Sequence, residues 1–135
     1  MAQKSDFGLL ITIERKGCFG PCPVYSSKIF TDGTVIYKGV DFVKVTGDKK
    51  YKISAERIKL LIEAFEKVDY FSFKDEYCFD QNGMSITDLP TTFTSISING
   101  KTKQVINYFK APKELEKLEN TIEFLADLNE NIGPL

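Results

Sequence analysis

Thr92-Phe93-Thr94-Ser95-Ile96-Ser97-Ile98-Asn99-Gly100-Lys101 is the stretch that decides the fold class. Phe93, Ser95 and Ser97 alternate with Thr94, Ile96 and Ile98, the period of two that marks a strand with two different faces. Asn-Gly supplies the two positive-φ residues that a tight hairpin turn needs, so Lys101 to Phe109 is expected to return antiparallel. The same logic holds upstream, where Thr31-Asp32-Gly33-Thr34 joins strand-like Val24–Phe30 to Val35–Lys38. Before them, Phe7 to Arg15 alternates Leu9, Ile11 and Ile13 with Leu10, Thr12 and Glu14. A further strand is expected over Asp41–Thr46, turned by Gly47–Lys50 into an extended Tyr51-Lys52-Ile53.

Two segments change period. Ser54 is a good N-cap, since its hydroxyl accepts an otherwise orphaned backbone N–H. After it, Ile58, Leu61, Ile62, Phe65 and Val68 form one apolar helical stripe. Residues 69–90 read as irregular, with Asp80-Gln81-Asn82-Gly83 as a turn signal. Pro112 opens a second helix where a missing N–H costs little, and Leu115, Leu118, Ile122 and Leu125 form its stripe. Hairpins dominate and no strand–helix–strand crossover repeats. The expected fold is therefore α+β: a mostly antiparallel sheet of about six strands with two helices on one face. The order is strands, helix, hairpin, helix, in a single domain over 1–135.

The 135 residues are 42% hydrophobic and 27% charged, which is ordinary for a globular domain. A formal net charge of −1 argues against a general nucleic-acid binder. Residues 1–59 hold eleven Lys/Arg against six Asp/Glu, and residues 60–135 hold seven against thirteen. This asymmetry fits either complementary faces within the fold or an anion-binding patch at Lys44, Lys49, Lys50 and Lys52. No apolar run is long enough to span a membrane, so no membrane insertion is expected. Met1 to Phe7 lacks a signal-peptide core, so the sequence as it stands reads as cytoplasmic, and as exported or periplasmic if a leader has been removed.

The most constrained connection is Gly17-Cys18-Phe19-Gly20-Pro21-Cys22-Pro23-Val24-Tyr25. Two glycines and two prolines dictate its backbone path, which holds Cys18 and Cys22 in a defined geometry. Such a loop brings two thiols within bonding distance, so a Cys18–Cys22 disulfide that leaves Cys78 free is expected under oxidising conditions. A redox pair is the second reading, with Arg15 and Lys16 available to lower a thiol pKa. Metal binding is the third. The Cys-x-x-x-Cys-Pro spacing resembles copper-chaperone loops, although those add a histidine and this chain has none. The missing histidine also excludes cysteine–histidine nucleophilic catalysis at Cys78. Asp75, Glu76, Asp80 and Asp88 form a second candidate, a loop of hard oxygen ligands for a cation or other ligand. Asp88 beside Pro90 equally suits a turn cap. Tyr25, Tyr37, Tyr51, Phe30 and Phe42 either line an exposed aromatic face or fill the core.

The cysteine segment resembles the signature of a bacterial family catalogued as domain of unknown function 6438. The likeness continues at Asp32-Gly33-Thr34-Val35, Tyr37-Lys38-Gly39, Asp75-Glu76-Tyr77 and Thr87-Asp88-Leu89-Pro90-Thr91. It extends to Ile98–Lys103 and to Ala111-Pro112-Lys113-Glu114-Leu115. The chain departs from the pattern in Cys78 and the bulky 78–84 stretch before Asp88. The resemblance brings no activity, and the exported look of many members would suit a disulfide. Without histidine, phosphate loop or complete ligand set, the expected function is a non-enzymatic binding or interaction module that needs no cofactor. Its partner would be a small molecule or a protein, and the chain a monomer or weak dimer. The alternative is a thiol redox or metal-binding protein acting through Cys18 and Cys22.

Overall fold

The computed structural model of the protein describes residues 8–17, 21–77, 91–108 and 111–133. Within them one sheet holds seven strands in the spatial order β4-β3-β2-β1-β6-β7-β5. These are β1 (Leu9–Lys16), β2 (Val24–Phe30), β3 (Thr34–Asp41), β4 (Gly47–Lys52), β5 (Glu76–Tyr77), β6 (Thr91–Ile98) and β7 (Lys101–Asn107). Every pairing is antiparallel except that of β5 with β7. Helices α1 (Ala55–Lys67) and α2 (Lys113–Leu125) carry the two long apolar stripes, and α3 (Asn129–Ile132) is a single turn. The α+β, mostly antiparallel reading therefore holds, with a seventh strand and a third helix added.

The strand register explains how the sheet takes a buried and an open side. Ile11 and Ile13 of β1 stand opposite Ile29 and Ser27 of β2, and opposite Ile96 and Thr94 of β6. All six are buried, as are Val35 and Tyr37 of β3 and Val105 of β7. The intervening residues, among them Thr12, Lys28, Lys38 and Gln104, point to the uncovered face. Ile58, Leu61 and Phe65 of α1, and Leu115, Leu118 and Ile122 of α2, complete the core, while Ile62 and Leu125 are half-buried. Tyr25 and Tyr37 are buried ring against ring at 5.7 Å. Tyr51 directs its hydroxyl to the Ala126 carbonyl at 2.6 Å. Most of the aromatics named in the sequence are thus core or hydrogen-bonded, and Phe42 remains exposed.

Local rules account for the turns and caps. Asn99 and Gly100 both have positive φ, as the hairpin requires. Asp32 accepts from the Thr34 N–H at 2.9 Å, which together with Lys52 holds its carboxyl below the usual range. Ser54 caps α1 by accepting from the Arg57 N–H at 3.2 Å.

One expectation is corrected. The strand expected over Asp41–Thr46 lies instead at Gly47–Lys52, and residues 42–46 form the bend before it. The cause is tertiary: Lys44 N–H and Val45 N–H donate to the Ile132 and Asn131 carbonyls of α3. Tyr37 Oη also donates to the Val45 carbonyl at 2.8 Å. The bend passes so close over β3 that a Cβ on Gly39 would stand 2.1 Å from the Val45 oxygen. The lysines of the possible anion-binding patch are thereby divided between the two faces of β4. Lys49 lies in register with buried Tyr37, whereas Lys50 aligns with the outward-facing Ile36 and Lys52 pairs with Asp32 at 3.7 Å. Residues 69–77, expected to be irregular, contain a 3-10 turn at Tyr70–Ser72 and the short β5.

Gly39→Ala is expected to push the 42–46 bend off the sheet and cost on the order of 2–3 kcal/mol. Urea unfolding monitored by far-UV circular dichroism measures this, and a loss below 0.5 kcal/mol (roughly the noise of a neutral surface change) would contradict the packing.

Candidate functional site

Alternation along β1 puts a charge where the pattern calls for a hydrophobe. After Ile11 and Ile13, the next residue on the helix-covered face is Arg15. In register it has Tyr25 of β2 on one side and Thr92 of β6 on the other. Thr92 is opposite Asn107 of β7, and Asn107 is opposite Tyr77 of β5. A polar row thus crosses five strands, next to an apolar one. Above it lies α2, whose Glu119 and Glu123 are one turn apart and face inward between Leu115, Leu118 and Ile122.

The groups satisfy one another closely. Arg15 Nε donates to Glu123 Oε2 at 2.6 Å, and Arg15 Nη1 donates to Thr92 Oγ1 at 2.8 Å. Tyr25 Oη donates to the same Glu123 oxygen at 2.5 Å. Asn107 Nδ2 donates to Glu119 Oε2 at 2.9 Å, while Glu119 Oε1 lies 3.9 Å from Arg15 Nη1. Glu119 is 3% exposed and Glu123 8%. One guanidinium therefore faces two buried carboxyl groups.

The balance of charge is set by burial. Desolvation is the largest influence on Glu119 and pushes its carboxyl up to about 7, against the opposing pull of Asn107 and Arg15. Desolvation lowers the Arg15 pKa, but its hydrogen bond and attraction to Glu123 outweigh that and leave it raised. Burial, then the Glu123 charge, raises the Tyr25 hydroxyl, which stays protonated as a donor. With Glu119 neutral the cluster carries no net charge, which a low-dielectric site favours. Chemically the row can hold a proton near neutral pH at Glu119.

The residues named from the sequence fall elsewhere. Cys22 is half-buried just before β2. Cys18, Cys78 and Asp88 lie outside the described residues, so the Cys18–Cys22 pairing and the full acidic loop do too. At the loop's described ends, a Cβ on Gly17 would stand 3.9 Å from the Cys22 carbonyl oxygen. Arg15, offered as a thiol activator, is committed to Glu123 and Thr92. Asp75 is exposed and bonded to Lys103 Nζ at 2.7 Å, and Lys103 also donates to the Phe73 carbonyl. Its neighbour Glu76 is exposed in β5, paired with Ile106 of β7. Among the described residues no group of three or more cysteine or acidic side chains is placed to hold a metal ion. No helix among them is long and apolar enough to cross a membrane.

The sequence reading missed Glu119 and Glu123 and gave Arg15 a different role. The signal was present: Glu119 is four residues after Leu115 and Glu123 one after Ile122, so both border the buried stripe. The model of a family described as a domain of unknown function, DUF6438, matches residues 9–126. No curated protein matches the chain.

The pH dependence of stability follows from Glu119. The folded chain keeps its proton up to about pH 7, whereas the unfolded chain releases it near 4.5. Between these values the folded state binds more protons, so this group's contribution falls as pH rises and is flat above. Glu119→Gln retains the neutral form, so its stability relative to the parent should climb from pH 4.5 to 7, by at most about 3 kcal/mol. Chemical denaturation of both proteins across this range tests it, and a pH-independent difference would contradict the assignment.

Proposed function

Because the chain belongs to the DUF6438 family, whose description assigns no activity, we propose from its surfaces that it is a non-enzymatic interaction module. The observation that carries this reading is an apolar groove of about 810 Å³ between α1 and α2, on the side away from the sheet. Leu60, Ala64, Val68, Phe124 and Leu125 line it and Leu118 forms part of its floor. Phe124 is 65% exposed and Leu60 42%. Large apolar groups gathered in a groove with a polar rim mark a contact surface more often than isolated ones do. The ionisable groups of the polar row, by contrast, are spent on each other, which leaves them little capacity for substrate.

A photo-crosslinking residue at position 60, in the groove, should give protein adducts in living cells. The same residue at position 38, on the open sheet face, should not. Absence of adducts at position 60, or equal labelling at both, would overturn the reading.

A second reading is thiol redox chemistry through Cys18 and Cys22, the Cys-x-x-x-Cys-Pro pair of the glycine- and proline-rich loop. We assign the two cysteines to each other, a pairing supported by the approach of Gly17 to Cys22 at the two ends of that loop. Peptide mapping of the alkylated, unreduced protein should return a Cys18–Cys22 linked peptide and an alkylated Cys78. A link to Cys78 would refute the pairing. A reduction potential well below −300 mV would make the bond structural, and one near cellular thiol buffers would favour the redox reading.

A further inference from the structure

We infer that the open face of the sheet, at its β2–β4 end, docks on an anionic lipid bilayer, with Phe42 as the group that enters the headgroup boundary. This goes beyond the groove reading and concerns the opposite side of the molecule.

The charges come first. Residues 24–52 hold six lysines against three aspartates, in a chain whose net charge is −1. Register places three of those lysines on the uncovered face. Lys28 of β2 and Lys50 of β4 flank Ile36 of β3, and Lys38 lies two residues further along β3. Lys28 and Lys50 are two strand spacings apart, roughly 10 Å. Among the described residues none of the three is paired with a carboxylate, whereas Lys52 is held by Asp32 and Lys16 by Glu14. Two acids oppose this surplus: Asp48, in register with Lys38, and Asp41, whose Oδ1 accepts the Phe42 N–H at 3.1 Å. A negative surface is the complement of what remains.

The apolar groups narrow the choice of surface. Ile36, Val40 and Phe42 follow one another along β3 and its exit, and Val40 is 56% exposed and Phe42 54%. Among the described residues four non-glycine positions have positive φ. Asp69, Asn99 and Asp127 are of the types that tolerate it, and the fourth is Phe42 at φ 53°. A bulky side chain there strains the backbone. Packing does not offset the strain, because the ring is more than half exposed. The bend beyond imposes it, since the Lys44 and Val45 N–H groups are tied to α3. The outcome is an aromatic ring held in solvent at the end of the strand that carries Lys38. A soluble polyanion would engage the lysines and leave Ile36, Val40 and Phe42 in water. An anionic bilayer takes both, with apolar side chains at the acyl boundary and lysines among the headgroups. Docked this way, the chain turns the α1–α2 groove away from the bilayer.

The chain has no tryptophan, so Phe42→Trp places a single fluorescent reporter at this contact and Phe124→Trp places one in the groove. Vesicles of phosphatidylcholine and phosphatidylglycerol in equal parts should sediment the unaltered protein. They should shift the Phe42→Trp emission to the blue and leave Phe124→Trp unmoved. Phosphatidylcholine alone should do neither. Lys38→Ala and Lys50→Ala should each weaken vesicle binding about fivefold, the effect of one basic residue near an anionic surface, with unchanged circular dichroism spectra. Phe42→Gly should raise the urea midpoint by relieving the strain, yet weaken binding. No sedimentation with the mixed vesicles, equal binding to both kinds, or a shift at position 124 in place of 42 would each overturn the inference. A Phe42→Gly variant that binds as well as its parent, or is no more stable, would do the same. Retention by a single-stranded oligonucleotide without vesicle binding would make a nucleic acid the occupant and sink the lipid assignment.

Discussion

The architecture turns on one half-buried cation beneath α2. Arg15 sits where β1 would otherwise present a third isoleucine-like residue to the helices, and its charge is tolerable only because α2 brings Glu123 within 2.6 Å. Removing an ion from water costs several kcal/mol, so each member of such a group holds the others in place. The consequence is geometric. Because strand side chains alternate, a slip of β1 that moves Glu14 into the place of Arg15 would turn Arg15 to the open face and bring Glu14 beneath α2. That would set Glu14 beside Glu119 and Glu123 without the guanidinium between them. The guanidinium thereby fixes the register of β1 against β2 and β6, and the rotation of α2 about its own axis.

The same cluster explains the placement of polar and apolar rows. Tyr25, Arg15, Thr92 and Asn107 share one transverse row, so their hydrogen bonds run across strands as well as up to the helix. Nearer the centre of the sheet, the row through Ile13, Thr94 and Val105 needs only packing, plus the bond between Thr94 and Tyr70 Oη at 2.8 Å. The sheet's other face makes shallower contacts, such as Thr12 with Ser95 and Ser97 with Thr102. Its edges differ as well. β4 presents Lys49, Lys50 and Lys52, and charged side chains on an edge discourage pairing with another chain. The far edge is closed by β5, two residues long and parallel.

Much of this was legible from local chemistry. The two glycine turns, the Ser54 cap and both helical stripes follow from propensity and period alone, and the elements form where those signals stand. The strand between β3 and α1 was placed some six residues early because its residues obey a tertiary instruction. Val43 and Val45 look like strand residues, but they pack on the core from a bend whose N–H groups are taken by α3. Nothing within Asp41–Thr46 announces that α3, nearly ninety residues later, will compete for it. The ionic row was hidden for a related reason. A charged residue in an amphipathic helix is read as solvated by default, and only the strand register reveals that Arg15 waits beneath α2. The counterion of Asp75, Lys103, was hidden in the same way, since it lies on β7 of the later hairpin.

The central position of β1 has a consequence for how the chain acquires its structure. One side of β1 is filled by β2, joined through a short loop, while the other waits for β6, paired as Ile11 with Ile96. Closing that span comes late, since distant pairings must overcome loop entropy before they gain stability. Until then the β1–β4 meander and α1 form a half-built layer in which β1 is an open edge as well as β4. Arg15 in that layer has neither Thr92 nor its two glutamates, all of which are synthesised at least seventy-seven residues later. A partly folded chain thus carries an uncompensated charge at the very strand on which further pairing must occur. Solvent, not protein, is its best company at that stage. Premature burial of β1, against itself or against a neighbouring nascent chain, is penalised until α2 arrives to neutralise it.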